Sequence, residues 1–484
     1  MNRHSAPEAS IDTAGTMDAI ALKNAGYGLH APFTLAMTGA DPLTALTVYR
    51  HLPGRRITFR ARWGNLEAVA KLFFREKEYR RERAGLEALS EAGIPCPRVL
   101  CRLVDDGQGA WLLITEYLPQ PRGLASLCYE ADEATVIGGL REAVALIGRG
   151  HRAGLAQRDI HLDNFLATER GLFMVDGGGV EVSGNVSAPD REDNLALFLA
   201  QLIPDFDSLI PRLLDAYGDG APDAASLAER VAVMRERRIR HYQKKSLRTC
   251  TEFVAERATG HFAVIRRDCL DSDVAGLVAE PEVAMGGSHM LKPGNTATVV
   301  RVGDRVIKRY NIKDWKHFLS RCWRPSRARV SWCNSLRLNY LGIPAPRSLA
   351  LRENRMGPLR REAYLVSDHV AGPDLLAWVA DNREIPAWLD NEIRRLFDVF
   401  WAARVSHGDM KATNLIVAGE KLVVLDLDAM AYHPHAGRFK KAHRRDLTRF
   451  MANWESGARA HFGQVLADCL ARAGIEINTN KGFQ

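Results

Sequence analysis

The 484-residue sequence predicts an α+β fold built twice in tandem, each copy a small β-rich lobe followed by a larger helical lobe. The first observation is an internal repeat. GIPCPRVL (from Gly93) recurs as GIPAPRSLAL (from Gly342), QRDIHLDNFL (from Gln157) as SHGDMKATNLIV (from Ser406), and LFMVDGG (from Leu172) as LVVLDLD (from Leu422). The glycines are 249 residues apart, and the pairs Asp159/Asp409 and Asp176/Asp426 are each 250 apart. Three matches at nearly one offset point to two copies of one domain, each a little over 200 residues long. The second observation is the strand pattern that opens each copy: ITFRARW then LEAVAKLFF, and later TATVVRV then RVIKRY. The third is a helical region carrying D-x-x-x-x-N, which in each copy comes after the GIP segment and the strand that follows it.

Taken in order, each copy reads as strands, a helix, the GIP turn, and then a strand with a hinge-like stretch. That stretch is AWLLITEYLPQPRG in the first copy and EAYLVSDHVAGPD in the second. A helical region carrying D-x-x-x-x-N comes next, and then a short apolar strand that ends in Asp. The expected domains are residues 30–220 and 285–470. Between them, residues 221–284 read as a basic helical connector, since Arg230–Arg248 holds eight Lys/Arg and one Glu.

Composition excludes several classes. Apolar residues are 46% and charged residues 26%, which rules out fibrous and wholly disordered chains. The net charge of +8 is mild for this length and does not by itself argue for nucleic acid. The 8 cysteines are scattered, with no C-x-x-C pair, against a zinc site or disulfide framework and in keeping with a reducing cytoplasm. MNRHSAPEASIDTAG lacks the apolar core of a signal peptide, and LALFLAQLI (Leu195–Ile203) is too short to span a bilayer. The expected location is cytoplasmic, with any membrane association peripheral.

The chemistry lies in the repeated polar residues. Asp159 and Asn164 are spaced D-x-x-x-x-N on a loop, and Asp176 ends a strand 12 residues later. Phosphoryl transfer needs these types together: one Asp to accept or orient the hydroxyl proton, and an Asn and a second Asp to hold Mg²⁺ against nucleotide phosphates. Lys71 in LEAVAKLFF sits like the strand lysine that grips the α/β-phosphates. Glu82, on the following helix, is where a partner for that lysine belongs. The second copy supplies Lys308, Asp409, Asn414 and Asp426, again with 12 residues from Asn to Asp, and GNTATVVRV (from Gly294) where a phosphate-covering turn would lie. It lacks the helical acid: no Asp or Glu occurs from Trp315 through Arg352, and position 331, aligned with Glu82, is Ser.

Asp193 and Asp446 recur on a later helix and read as groups that hold the catalytic loop's backbone. Each feature also has a plain structural reading. Asp159 alone could be a surface turn or helix N-cap, Lys71 or Lys308 an edge-strand lysine, and Arg230–Arg248 a solvated helix face. PGRRITFRARWGN has no G-x-G-x-x-G, so its glycines read as hairpin turns. His433, His435 and His443 read as surface histidines of a loop rather than metal ligands. The run Arg305–Arg329 interleaves Lys/Arg with Trp and Tyr, a composition suited to anionic lipid headgroups or phosphorylated sugars. Nucleic acid ranks lower because no nucleic-acid-binding motif accompanies the run.

The two copies resemble the lipopolysaccharide kinase branch of the protein-kinase-like superfamily, which includes inner-core heptose kinases and Kdo kinases. The resemblance rests on the GIP segments, QRDIHLDNFL, SHGDMKATN and the strands ending at Asp176 and Asp426. KRYNIK (from Lys308), RPSRARVSW (from Arg324) and MGPLRREAYLVSDHVAG are especially close. It covers roughly residues 40–215 and 285–460. It implies two protein-kinase-like domains, ATP and Mg²⁺ as cofactors, and a sugar hydroxyl, here heptose, on a lipid-linked core oligosaccharide at the cytoplasmic face of the inner membrane. Asp159 and Asp409 would be catalytic, Asn164, Asp176, Asn414 and Asp426 metal-binding, and Lys71, Glu82 and Lys308 part of the ATP site. Gln157 departs from the histidine common in such loops, and the missing acid in the second copy puts that copy's catalysis in question. Competing readings are a pseudokinase pair that scaffolds core-assembly enzymes, and a kinase for another small-molecule or protein acceptor.

Overall fold

The computed structural model describes residues 15–475, apart from 27–28, 38–40, 106, 271, 295, 313–321 and 382–383. The chain divides into two compact units: Met1–Gln201 with Ser208–Val231, and Leu202–Asp207 with Ala232–Gln484. Both are α+β, a β-rich part preceding a helical part.

The first unit opens with a seven-stranded sheet. Its strands are β1 (Thr16–Met17), β2 (Phe33–Leu35), β3 (Leu43–Leu52), β4 (Arg56–Trp63), β5 (Leu66–Phe73), β6 (Val99–Asp105) and β7 (Ala110–Glu116), in the order β1-β2-β3-β4-β5-β7-β6. Period-2 alternation buries Ile57, Phe59 and Ala61 of β4 with Ala68, Ala70 and Leu72 of β5 on one face. Lys71 falls on the other face, opposite Thr58 and Leu113. Gly54 and Gly64 turn the hairpins with φ of +67° and +59°, so they are hairpin glycines as expected.

Helix Glu76–Glu91 follows β5 and ends at Ala92. Gly93 (φ +66°) donates its N–H to Ser90 O, and Ile94 donates to Leu89 O. This is a Schellman cap, which needs glycine at the left-handed position and an apolar residue after it. Gly342 (φ +71°) and Ile343 cap helix Arg327–Tyr340 in the same way, bonding Asn339 O and Leu338 O. The repeated GIP is thus a helix stop.

The helical part of the first unit contains Leu124–Glu130, Glu133–Arg152, Ala188–Leu199 and Ile210–Tyr217. Glu133–Arg152 is capped by Asp132 accepting Thr135 N–H, and buries Val136, Leu140, Ala143, Val144 and Ile147 along one stripe. Small strands frame the loops: β8 (Arg122–Gly123), β9 (Leu155–Gln157), β10 (Phe165–Thr168), β11 (Gly171–Met174) and β12 (Val180–Val182), with β10–β11 and β9–β12 antiparallel pairs.

The stretch expected as a connector resolves into different parts. Ala224–Lys245 is a helix, but β13 (Phe253–Arg257) and β14 (His261–Arg266) pair into the second unit's sheet. Its basic composition had hidden a short alternation that buries Phe253 and Phe262 beside Trp332. The sheet continues with β15 (His289–Lys292), β16 (Ala297–Val302), β17 (Arg305–Tyr310), β18 (Ser348–Met356) and β19 (Leu359–Asp368), in the order β13-β14-β18-β19-β17-β16-β15. In both units five neighbouring strands therefore run first, second, third, fifth, fourth. The extra strands lie beside the first of these in one unit and beside the fourth in the other.

The second helical part comprises Leu375–Asp381, Ala387–Ala402, Ala436–Met451, Ser456–Val465 and Ala467–Arg472, around a core that includes Phe397, Phe400, Phe450, Trp454 and Phe462. Strands β20 (Val405–Ser406), β21 (Leu415–Ala418), β22 (Lys421–Val424) and β23 (Ala431–Tyr432) frame its loops. His443 corrects the reading of a surface loop. It is 1% exposed on helix Ala436–Met451, packed against Phe397, Trp401 and Phe439. Of the basic run Arg305–Arg329, residues 313–321 lie outside the described residues. Among the described residues no helix is long and apolar enough to cross a membrane.

Candidate active site

In the first unit the strand lysine and the helical acid meet. Lys71 Nζ donates to Glu82 Oε1 and, at 3.0 Å, to Val175 O. Lys71 is buried and Glu82 has no exposed surface. Burial pushes the Glu82 carboxyl up, with the Lys71 charge working against it. Glu82 also accepts Gly177 N–H (3.3 Å) and Gly178 N–H (3.1 Å), and Arg56 Nη1 lies 3.6 Å from its Oε2. The helix is thereby tied to the segment that follows β11.

Two glycines make that approach possible. A Cβ on Gly85 would fall 1.9 Å from Gly177 O, and a Cβ on Gly177 would fall 2.4 Å from Glu82 O. The backbones touch directly, which no side chain at either position allows. A D-G-G-G run, Asp176–Gly179, follows β11. A glycine inside a helix, facing a glycine run, was the signal that could have marked it.

The loop residues gather at the end of the β10–β11 hairpin. Asn164 Nδ2 donates to Asp159 O (3.2 Å), Val175 N–H donates to Asn164 O (3.0 Å), and Gly178 N–H donates to Asp176 Oδ1 (3.1 Å). Burial would raise the Asp176 carboxyl, but Lys71, the Glu82 contact, Arg56 and the Gly178 N–H together hold it down at about 2. Asp159 is exposed, and no side-chain partner of its carboxylate occurs among the described residues. Gln157 stands in for the usual histidine as a neutral donor, giving its Nε2–H to Asp176 O at 2.8 Å. The loop-holding group is Asn194 and not Asp193. Asn194 Nδ2 donates to Gln157 O (2.7 Å) and its Oδ1 meets the buried His151, which also meets Tyr217 Oη (2.7 Å). Asp193, one residue earlier on the helix, faces outward to Arg230.

The second unit arranges the same residue types differently. His407 Nε2–H donates to Leu425 O (2.8 Å) while Nδ1 accepts Asp409 N–H (3.3 Å), which fixes the tautomer. Asp446 accepts His407 N–H (2.6 Å) and Gly408 N–H (2.9 Å), the loop-holding role expected of it. Asn414 Nδ2 donates to Asp409 O (2.9 Å). The Asp409 carboxylate is engaged by Arg449 (2.6 Å) and Lys411 (3.2 Å).

Lys308 pairs with Asp426 itself. Asp426 has φ +59°, a left-handed conformation that Asp tolerates. Burial would raise its carboxyl, but Lys308 lowers it. Ser331, in the Glu82 position, bonds Tyr310 Oη at 2.8 Å. The helix contributes a cation instead of an acid: Arg327 Nη2 lies 2.5 Å from Asp428 Oδ2. Burial and the neighbouring Asp426 charge push the Asp428 carboxyl up. The sequence reading had passed over Asp428, although D-x-D after an apolar strand was visible. Asn334, at the position of Gly85, donates to Leu427 O and Met430 O, both at 2.9 Å.

The family comparison bears on the second unit. Residues 294–464 match the lipopolysaccharide kinase (Kdo/WaaP) family. Among solved structures, WaaP in complex with acyl carrier protein shares 22% identity, covering 41% of this chain and 87% of that one, with a TM-score of 0.32. The Mycobacterium tuberculosis PknI kinase domain shares 15% identity over 40% of this chain and 95% of that one, with a TM-score of 0.27. No curated protein matched. Lys308, Asp409, Asn414 and Asp426 all lie inside the matched segment.

Proposed function

We propose that this protein is a tandem kinase-like enzyme that transfers the γ-phosphoryl group of ATP to a heptose hydroxyl of the lipopolysaccharide inner core. The family match supports a phosphotransferase of lipopolysaccharide core biosynthesis. The observation that carries the reading is the buried Lys71–Glu82 pair set beside Asp159, Asn164 and Asp176.

In the first unit Lys71, fixed by Glu82 and Val175 O, would present its ammonium to the α/β-phosphates. The exposed Asp159 would accept the sugar hydroxyl proton. The hydroxyl oxygen bonds to the γ-phosphorus as the bond to the bridging β-phosphate oxygen breaks, and ADP leaves. Asn164 and Asp176 fit a hard cation. Asn164 uses its N–H₂ on Asp159 O, which leaves Oδ1 as an oxygen donor, and Asp176 stays ionised at neutral pH. They would hold Mg²⁺, which neutralises phosphate charge when bound. Positioning and charge neutralisation would then dominate the rate.

The second unit would work differently. Lys308 occupies Asp426, so nucleotide phosphates would have to draw Lys308 away before Asp426 and Asn414 could serve a cation. This favours the first unit as the catalyst and the second as a slower site or a holder of substrate. A reading in which the second unit catalyses is favoured by the family match, with Asp428 as an additional carboxylate and Arg327 in place of the missing helical acid. Asp176→Ala and Asp426→Ala separate these readings. Loss of phosphate transfer in Asp176→Ala alone supports the first, and loss in Asp426→Ala alone supports the second. Undiminished transfer in both variants would sink the kinase assignment.

A further inference from the structure

The second unit's sheet carries an arginine cluster that none of the chemistry above uses. The guanidinium carbons of Arg257, Arg329 and Arg355 lie 4.9, 5.1 and 5.2 Å from the centroid of one ring, Phe262. They come from β13, helix Arg327–Tyr340 and β18. Arg360 of β19 joins them around Glu353, a carboxylate with no exposed surface. Glu353 Oε2 takes Arg329 at 2.7 Å and Arg355 at 2.9 Å. Its Oε1 accepts Ser326 Oγ–H at 2.7 Å and lies 3.7 Å from Arg360 Nε.

One carboxylate therefore faces three guanidiniums, and Arg257 adds a fourth positive charge with only Leu247 O as its acceptor among the described residues. Arg329 Nε, Arg355 Nε and Arg360 Nε are buried with no acceptor among the described residues. Arg257, Arg329 and Arg355 each keep Nη1 unbonded, and Arg360 keeps Nη2 unbonded, again among the described residues. Burial lowers the proton affinity of Arg329, and Arg360 and Arg355 push the same way against Glu353. Like charges at this spacing, partly out of water, repel strongly unless opposite charge is supplied.

We infer that Arg257, Arg329, Arg355 and Arg360 form a binding site for a phosphomonoester. The excess of at least two positive charges matches a dianion better than a carboxylate or a phosphodiester. Planar forks converging from four elements suit a tetrahedral group with three terminal oxygens. The phosphomonoester could be borne by a soluble sugar phosphate or by a lipid headgroup. The site stands on its own and does not depend on either unit being a kinase.

The test uses the full chain and two probes: glucose 6-phosphate in solution, and phosphatidylcholine vesicles with phosphatidic acid. Arg329→Gln/Arg355→Gln should weaken binding about a hundredfold, roughly tenfold for each charge-assisted bond removed. Lys71→Met/Lys308→Met should leave this binding unchanged, which separates it from any nucleotide site. Arg257 touches no part of the Glu353 pairing, so Arg257→Gln provides a variant whose fold is not at issue, with about tenfold loss expected. Loss on the soluble probe alone assigns the site to sugar phosphates, and loss on vesicles alone assigns it to lipid. Wild-type affinity in the arginine variants, or no binding of either probe to the wild type, overturns the proposal.

Discussion

Replacing Gly85 by alanine should destabilise the first unit, against the direction that helix propensity gives. In a helix interior Gly→Ala ordinarily stabilises by about 0.5–1 kcal/mol. Here the new Cβ would meet Gly177 O at 1.9 Å, Gly177 C at 2.6 Å and Gly177 Cα at 2.9 Å, all of it backbone. Helix Glu76–Glu91 and the Asp176–Gly178 segment would have to part by about 1 Å, an overpacking strain of about 1–3 kcal/mol. The same movement stretches the Gly177 and Gly178 N–H bonds to Glu82 and loosens its hold on Lys71. The net loss should be about 1–2 kcal/mol, or about 2–8 °C in the midpoint of a unit this size. Gly138 is the control. It lies on helix Glu133–Arg152, exposed, with nothing within 4 Å of an added Cβ. Gly138→Ala should raise the midpoint by about 1–4 °C. Differential scanning calorimetry of both variants reads the two signs. A Gly85→Ala protein as stable as Gly138→Ala would refute the backbone contact and the positioning of Glu82 built on it.

Further outcomes are expected. Lys71→Met leaves Glu82 buried with Arg56 and two N–H groups, and should cost about 3 kcal/mol in denaturant unfolding, while Lys71→Met/Glu82→Gln should recover part of that loss. Asn334→Ala strands the Leu427 and Met430 carbonyls, and should lower stability by about 2–3 kcal/mol without touching a charged residue. His443 gives a pH dependence: burial in its aromatic pocket, helped by Arg472, lowers it to about 4. Because the folded value is depressed below the unfolded one, the neutral form's contribution is complete above about pH 6.5 and is lost as pH falls toward 4, by about 3 kcal/mol at most. His443→Phe should flatten unfolding free energy over that window, and an unchanged slope would show that the titration lies elsewhere.

The parts of the fold visible in the sequence were those with local causes. β4 and β5 follow from alternation, and both GIP segments mark helix ends because glycine takes the left-handed position of the cap without steric cost. The Lys71–Glu82 pair was legible because one strand and the next helix carry the two residues. The misreadings came from single-residue and long-range effects. Asp193 and Asn194 differ by one position on a helix, about 100° of rotation, so the acid turned outward and the amide inward. His443 read as polar surface because its burial depends on Phe397 and Trp401, distant in sequence. β13 and β14 were hidden by the basic stretch before them, and β18, the strand that joins β14 to the rest of the sheet, begins more than 80 residues later. The second unit's exchange of partners, Lys308 to Asp426 and Arg327 to Asp428, joins residues about a hundred positions apart and leaves no local signal.

The central claim is tested most directly by phosphate transfer from labelled Mg-ATP to purified heptose-bearing core lipopolysaccharide, comparing wild type with Asp159→Asn and Asp409→Asn. The account predicts label on the sugar with wild type, loss of about a hundredfold or more in Asp159→Asn, and a smaller loss in Asp409→Asn. Wild type that labels nothing on an acceptor competent for this class of enzyme, or Asp159→Asn with full activity, would contradict it.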